Sequence, residues 1–449
     1  MKEDAVRVPL QTLRSVQFRL AGALFAAGLL LLLAVPASAQ TFTVLHEFTG
    51  GADGSIPEST LVEDRAGNLY GLATFGANSN CHPSGSAGCG AVFKLTHKAG
   101  GWAFSPLYAF TGDPDGANPV GSLTIAPDGT LYGVTNDGGV AGNCLDSFGQ
   151  NGCGTVFHLQ PLPTICAAFL CPWRETVLYR FTGGDDGNDP WAGVTLDRAG
   201  NLYGTAHQGG ANNWGVAYEL LPSGSGWTQA TIHAFAGGSD GANPTSPLAF
   251  DPIGNLYGTT PGGGGGGNCY GGGCGTVFEL LPVGEGWSEN ILYRFAGSDF
   301  NIPYGGVVLD PAGNLYGTVV DGINGVFELS YSNGNWNLSQ LYSHDFGGEP
   351  ALYSPLARDA AGNLYGTAEF GGNDQCDFSN GCGFVFKLAP SGDGWIFTQL
   401  YAFNNGADGA FPYGGVVVDA QGNIYGTAAG GGTHNCGNIG CGTVWEITP

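Results

Sequence analysis

One pentapeptide recurs seven times along this chain of 449 residues. Gly67-Asn-Leu-Tyr-Gly71 is repeated from Gly200, Gly254, Gly313 and Gly362, with variants starting at Gly129 (Gly-Thr-Leu-Tyr-Gly) and Gly422 (Gly-Asn-Ile-Tyr-Gly). Successive starts lie 62, 71, 54, 59, 49 and 60 residues apart. A unit of this length cannot bury its own faces and must stack on its neighbours, so the chain reads as a repeat architecture.

Each unit reads as four short strands. In the fifth, Pro303–Asp310 is strand a, Asp310-Pro-Ala-Gly-Asn314 a tight turn, Asn314–Thr318 strand b, Asn324–Leu329 strand c and Trp336–Tyr342 strand d. The proline suits the second position of a type I turn and Gly313 the left-handed residue after it. Strand c recurs as Gly-Thr-Val-Phe-Glu-Leu (275–280) and strand d as Leu-Tyr-Arg-Phe (178–181 and 292–295). Sheets apolar on both faces need partners on both sides, which radial packing supplies. Phe42–Phe48 matches a strand d with no unit before it, and Gly442–Ile447 is a strand c with no d after it. If the first completes the last sheet, the expected fold is an all-β, seven-bladed propeller closed by its N-terminal strand.

Composition bounds the rest. Lys2, Arg7, Arg14 and Arg19 precede an apolar run, Leu20–Val35, and Ala37-Ser38-Ala39. This is the pattern of a signal peptide over 1–39, with one propeller domain over 40–449. The short run argues against a retained membrane span, and the C-terminus carries no anchor pattern. The expected location is extracytoplasmic. Beyond the leader, 9 Lys and Arg face 35 Asp and Glu. No basic stripe exists to displace counterions, so nucleic acid is not a partner. Twelve cysteines form six close pairs: Cys81/Cys89, Cys144/Cys153, Cys166/Cys171, Cys269/Cys274, Cys376/Cys382 and Cys436/Cys441. In a secreted chain these read as disulfides. None has a C-x-x-C spacing, so zinc is not expected at them.

In a four-stranded meander the b–c and d–a loops share one face of the ring. The b–c loops vary in length and hold five of the six cysteine pairs. The d–a loops carry Asp-Gly at Asp53, Asp115, Asp186, Asp240 and Asp408. Trp191, Tyr304 and Tyr413 directly follow a proline there, and Trp214 lies in the cysteine-free b–c loop of unit three, with His207 nearby. Aromatic faces and carboxylate acceptors suit a carbohydrate, so the candidate ligand residues are Trp191, Tyr304, Tyr413, Trp214, Asp115, Asp186, Asp240 and Asp408. The structural alternatives are Asp-Gly turns and aromatics packed between blades. The doubled acids Asp113/Asp115 and Asp185/Asp186 are the candidates for calcium; no other cofactor is expected. No H-E-x-x-H or P-loop is present, and no catalytic residue stands out. Three functions remain: a non-enzymatic binder of a glycan or protein partner, a carbohydrate- or lactone-active enzyme at the same mouth, and a structural envelope or matrix protein.

The succession Asp-x-x-Gly-Asn-Leu-Tyr-Gly-Thr, Gly-Gly, Cys-Gly-Thr-Val-Phe-Glu-Leu, then Trp and Leu-Tyr-x-Phe resembles the GloVer tandem repeat across essentially the whole mature chain. That resemblance implies a secreted bacterial propeller of the choice-of-anchor type and implies no reaction. The Gly-Asn-Leu-Tyr element is also similar to NHL and gluconolactonase-like propellers at the level of the a–b turn.

Overall fold

Every residue of the repeated motif has a physical task. In the first unit, Asp64 Oδ1 accepts the amides of Ala66 and Asn68, each at 2.9 Å, closing the a–b turn. Its Oδ2 accepts the Asn68 side-chain amide at 2.7 Å and the Tyr70 hydroxyl at 3.0 Å. Gly67 takes the positive φ that the turn requires, 77°. Leu69 is fully buried. Gly71 lies under the ring of Phe93, from which an added Cβ would stand only 2.5 Å away. The threonine after the motif ties one blade to the next: Thr205, Thr318, Thr367 and Thr427 donate to Ser246, Ser354, Gly414 and Ser59 carbonyls at 2.8–3.1 Å.

The computed structural model describes residues 40–78, 88–139, 144, 152–161, 173–266, 269, 273–297, 301–321, 324–344, 352–373, 376, 380–392 and 394–449. The leader, Cys81, Cys166 and Cys171 lie outside them. Seven four-stranded antiparallel sheets form the propeller. Blade 4 is representative, with strands Ala249–Phe250, Leu256–Thr260, Thr276–Val283 and Gly286–Arg294. In blade 7 the order is Thr41–Glu47, Thr443–Thr448, Ile424–Ala428, Val417–Val418, so the first strand is the outer edge of the last sheet. Phe48 continues this seam, donating its amide to Gly442 at 3.0 Å. Among the described residues, no helix is long and apolar enough to cross a membrane.

Strand a departs from the expected length. It spans nine residues in blade 2 (Ala117–Ile125) and blade 5 (Asn301–Leu309), but only two in each of the other five. These inner strands converge on the axis, and there the backbones of neighbouring blades meet: Thr60 bridges Ser122 in parallel. Their peptide groups therefore find partners across blades as well as within them.

Buried clusters fill the seams. Phe48, Leu61, Leu69, Phe93, Leu95, Tyr425 and Val444 pack together across blades 7 and 1. The strand-c position above the motif glycine is Phe in five blades, Trp445 in blade 7 and Tyr218 in blade 3. The Tyr218 hydroxyl is buried without a hydrogen-bond partner. Tyr218→Phe is therefore expected to raise stability by about 1 kcal/mol in denaturant titration, since a desolvated, unmatched hydroxyl is removed; destabilisation would contradict this packing.

The turn carboxylates also set the acid limit. Burial raises the pKa of Asp64, but hydrogen bonds from Asn68, Tyr70 and Ala66 outweigh it and leave the group below its ordinary 3.8. Asp310 and Asp359 are held down in the same way. A depressed folded-state pKa contributes stability above the unfolded value, and this is lost as pH falls through the folded one. Melting temperature is accordingly expected to fall below about pH 4, with a shallower decline in Asp64→Asn.

Candidate binding site at the propeller axis

The d–a loops are built so that one side chain per blade reaches the axis. Pro57, Pro119, Pro190, Pro244, Pro303 and Pro412 each pack against the glycine that opens the preceding strand c. The residue before each proline is held at a positive φ of 54–58°: Ile56, Asn118, Asp189, Asn243, Ile302 and Phe411. Its amide donates to the carbonyl preceding that glycine, as in Ile56 to Cys441 at 2.9 Å and Phe411 to Cys382 at 2.9 Å. A non-glycine residue before proline resists this conformation, so the tertiary hydrogen bond and packing hold it. The residue after the proline then faces the axis.

Six axial positions follow these prolines, Glu58, Val120, Trp191, Thr245, Tyr304 and Tyr413, and the seventh, Tyr353, follows Leu352; all seven line one cavity of about 290 Å³. The structure thus brings together Trp191, Tyr304 and Tyr413. Tyr353 and Glu58 were not singled out in the sequence, although they occupy the same place in their blades. Ser59, Ser246 and Ser354 fix the equivalence, because each follows the axial residue and bonds to strand b of its own blade. Tyr353 stacks on Tyr413 with centroids 5.2 Å apart and meets Tyr304 edge-on at 5.0 Å. The Trp191 ring lies 5.7 Å from His207, whose Nδ1 is buried without a partner. Burial lowers the His207 pKa, so the ring is neutral at pH 7.

One carboxyl, Glu58, lines the cavity, and a second, Glu369, lies near enough to feel its charge. Burial pushes Glu58 up to about 7, against a weak hydrogen bond from Thr74 Oγ1 at 3.5 Å. Glu369, at the end of strand b in blade 6, is pushed up to about 7 by burial and then by the charge of Glu58. Tyr413 is raised well above its ordinary value by burial first, then by Tyr304, Glu58, Glu369 and Tyr353. The site therefore combines four aromatic rings with the Glu58 carboxyl, which burial pushes up to about 7 and to which Glu369 is electrostatically coupled.

The acidic loop residues lie elsewhere. Asp115 accepts the Tyr108 hydroxyl at 2.6 Å and both the amide and hydroxyl of Thr111. Asp186 accepts Tyr179 and Thr182, and Asp408 accepts Tyr401 and Asn404, in the same arrangement. Asp240 accepts the Ala236 amide at 2.6 Å and faces His233. None of the four lines the axial cavity. Asp113 and Asp185 are exposed. Trp214 is set against Gly237, where Cys144 and Cys436 meet Gly183 and Gly50 in other blades. It fills the place of a disulfide in blade 3, whose b–c loop has no cysteine.

Disulfides join Cys144–Cys153, Cys269–Cys274, Cys376–Cys382 and Cys436–Cys441, and Cys89 is disulfide-bonded as well. They are consistent with an extracytoplasmic protein.

Fold and repeat together define a seven-bladed propeller of tandem-repeat type. The chain belongs to the Gloeobacter/Verrucomicrobia repeat family, whose profile matches residues 22–161, 144–324 and 267–449. No curated protein matches it. Similar solved structures include the periplasmic gluconolactonase PpgL of Pseudomonas aeruginosa, at 16% identity and a TM-score of 0.45, covering 85% of this chain and 99% of that one. A putative 6-phosphogluconolactonase of Bacteroides fragilis is 15% identical with a TM-score of 0.47, covering 81% and 87%. A triple-arginine mutant of AofleA from Arthrobotrys oligospora is 11% identical with a TM-score of 0.41, covering 82% and 90%. At these levels no activity is carried across.

Proposed function

We propose that this chain is an extracytoplasmic, non-enzymatic binding protein whose axial cavity takes the end of a glycan. The observation that carries the reading is the meeting of Trp191, Tyr304, Tyr353 and Tyr413 with Glu58 around one concave space, with Glu369 near enough to Glu58 to feel its charge. Apolar ring faces cover the C–H face of a sugar, while carboxyl oxygens accept its hydroxyls. A space of about 290 Å³ is at the lower end for small-ligand pockets, which suits a terminal residue better than a protein surface.

Calorimetry against a panel of mono- and oligosaccharides tests this. Saturable binding is expected, strengthening as pH rises from 6 to 8 because burial pushes Glu58 up to about 7 and a carboxylate accepts stronger hydrogen bonds than an acid. Glu58→Gln is expected to flatten that dependence. A panel without a single binder would remove the proposal.

The raised pair also favours one second reading, hydrolysis of a glycoside or lactone. An acid and a base poised near neutral pH are what such chemistry uses. That reading requires turnover that collapses in Glu369→Gln; binding without turnover would leave the first reading standing alone.

A further inference from the structure

We infer that His233, Asp240 and Glu289 form a binding site for a divalent transition-metal ion at the outer seam between blades 3 and 4. The three donors come from separate segments: strand d of blade 3 (Gly226–Ala234), the d–a loop after it, and strand d of blade 4 (Gly286–Arg294). His233 Nε2 lies 3.3 Å from Asp240 Oδ2 and 3.5 Å from Glu289 Oε1, and the three ligand atoms are all within 4.8 Å of one another. Ligands about 2.0–2.1 Å from a tetrahedral ion stand about 3.3 Å apart, so two of the three edges are already set. Glu289 Oε1 is buried and has no hydrogen-bond partner. The side chains keep 12–23% of their surface open, which leaves water a fourth position.

The other seams act as internal comparisons. Between blades 7 and 1 the same places hold His46, Asp53 and Phe104, and the phenyl ring stacks 3.7 Å from the imidazole. The fold is thus satisfied by a histidine–aspartate pair under an aromatic lid. Between blades 1 and 2 the residues are Tyr108, Asp115 and Glu175, with the tyrosine hydroxyl bonded to Asp115 at 2.6 Å. Between blades 6 and 7 they are Tyr401, Asp408 and Phe42. Among the described residues, imidazole and two carboxylates meet only at the blade 3–4 seam. One nitrogen and two carboxylate oxygens suit Zn²⁺, Co²⁺ or Mn²⁺, and the two carboxylates neutralise the ion.

Equilibrium dialysis of the metal-stripped full chain against Zn²⁺ tests the site, with Co²⁺ absorption reporting its geometry. One equivalent is expected to bind. His233→Gln and Glu289→Gln should each weaken it at least tenfold, and His46→Gln should leave it unchanged. Absence of saturable Zn²⁺ binding by the wild-type chain would overturn the assignment, whether or not every variant folds. So would one-equivalent binding that Glu289→Gln leaves intact. Sugar affinity at the axis is not expected to change in either variant, so the two sites can fail separately.

Discussion

Phe48→Ala is expected to lower the unfolding free energy by about 3–5 kcal/mol, the range for deleting a fully buried phenylalanine. Phe48 has no exposed surface and sits among Leu61, Leu69, Phe93 and Val444, so its ring touches both the last blade and the first. Its ring meets Phe93 and Phe104 edge-on at 5.3 and 5.8 Å. At the other end of the strand, Phe42 stacks 3.7 Å from Tyr401 of blade 6. The N-terminal strand therefore ties blade 7 to both of its neighbours. Phe110→Ala, the equivalent change inside blade 1, is expected to cost a similar amount, because a closed ring makes the seam at the termini equal to any other. Denaturant titration of both variants checks this, and a loss below about 1 kcal/mol for Phe48→Ala would mean the ring is held shut by something else.

The second large effect concerns the axis. Trp191→Ala is expected to weaken glycan binding by about thirtyfold, equivalent to about 2 kcal/mol, as for removal of an aromatic anchor from a concave site. Trp191 is 36% exposed and can be truncated without opening the core. Trp214, at 40% exposed, is the matched control. It stands in for a disulfide on the loop of blade 3, so Trp214→Ala should leave affinity unchanged. Calorimetry with the best ligand of the wild-type chain distinguishes the two. Equal losses, or a loss confined to Trp214→Ala, would move the site from the axis to the loops.

The architecture was legible because the repeat is itself the fold's unit. Spacing gave seven blades, and the unmatched strands at the two ends gave the closure. The motif Asp-x-x-Gly-Asn-Leu-Tyr-Gly-Thr recurs because its aspartate, asparagine and tyrosine bond to one another and its threonine to the next blade. The axial site was legible only in part. Trp191, Tyr304 and Tyr413 were visible because an aromatic followed a proline. Tyr353 follows Leu352, so the proline cue fails there, and only the register of Ser354 identifies its place. Glu58 does follow a proline, but a single carboxylate drew no notice among aspartates that recur around the ring. Those aspartates recur for the opposite reason: each ties its d–a turn back to the end of strand d, so repetition marks them as parts of the frame. The axial ring differs from blade to blade, and that departure from the repeat is where specificity can lie. Glu369 directly follows strand b of blade 6 and feels the charge of Glu58 in blade 1, a proximity that no spacing along the chain encodes.

The most direct test is a crystal structure of the full chain soaked with the saccharide that binds best in calorimetry. Sugar density is expected in the axial cavity, with a ring face against Trp191 or the Tyr304–Tyr353–Tyr413 cluster and a hydroxyl on Glu58. A saccharide bound on the outer loops, with the axis holding only solvent, would contradict the account.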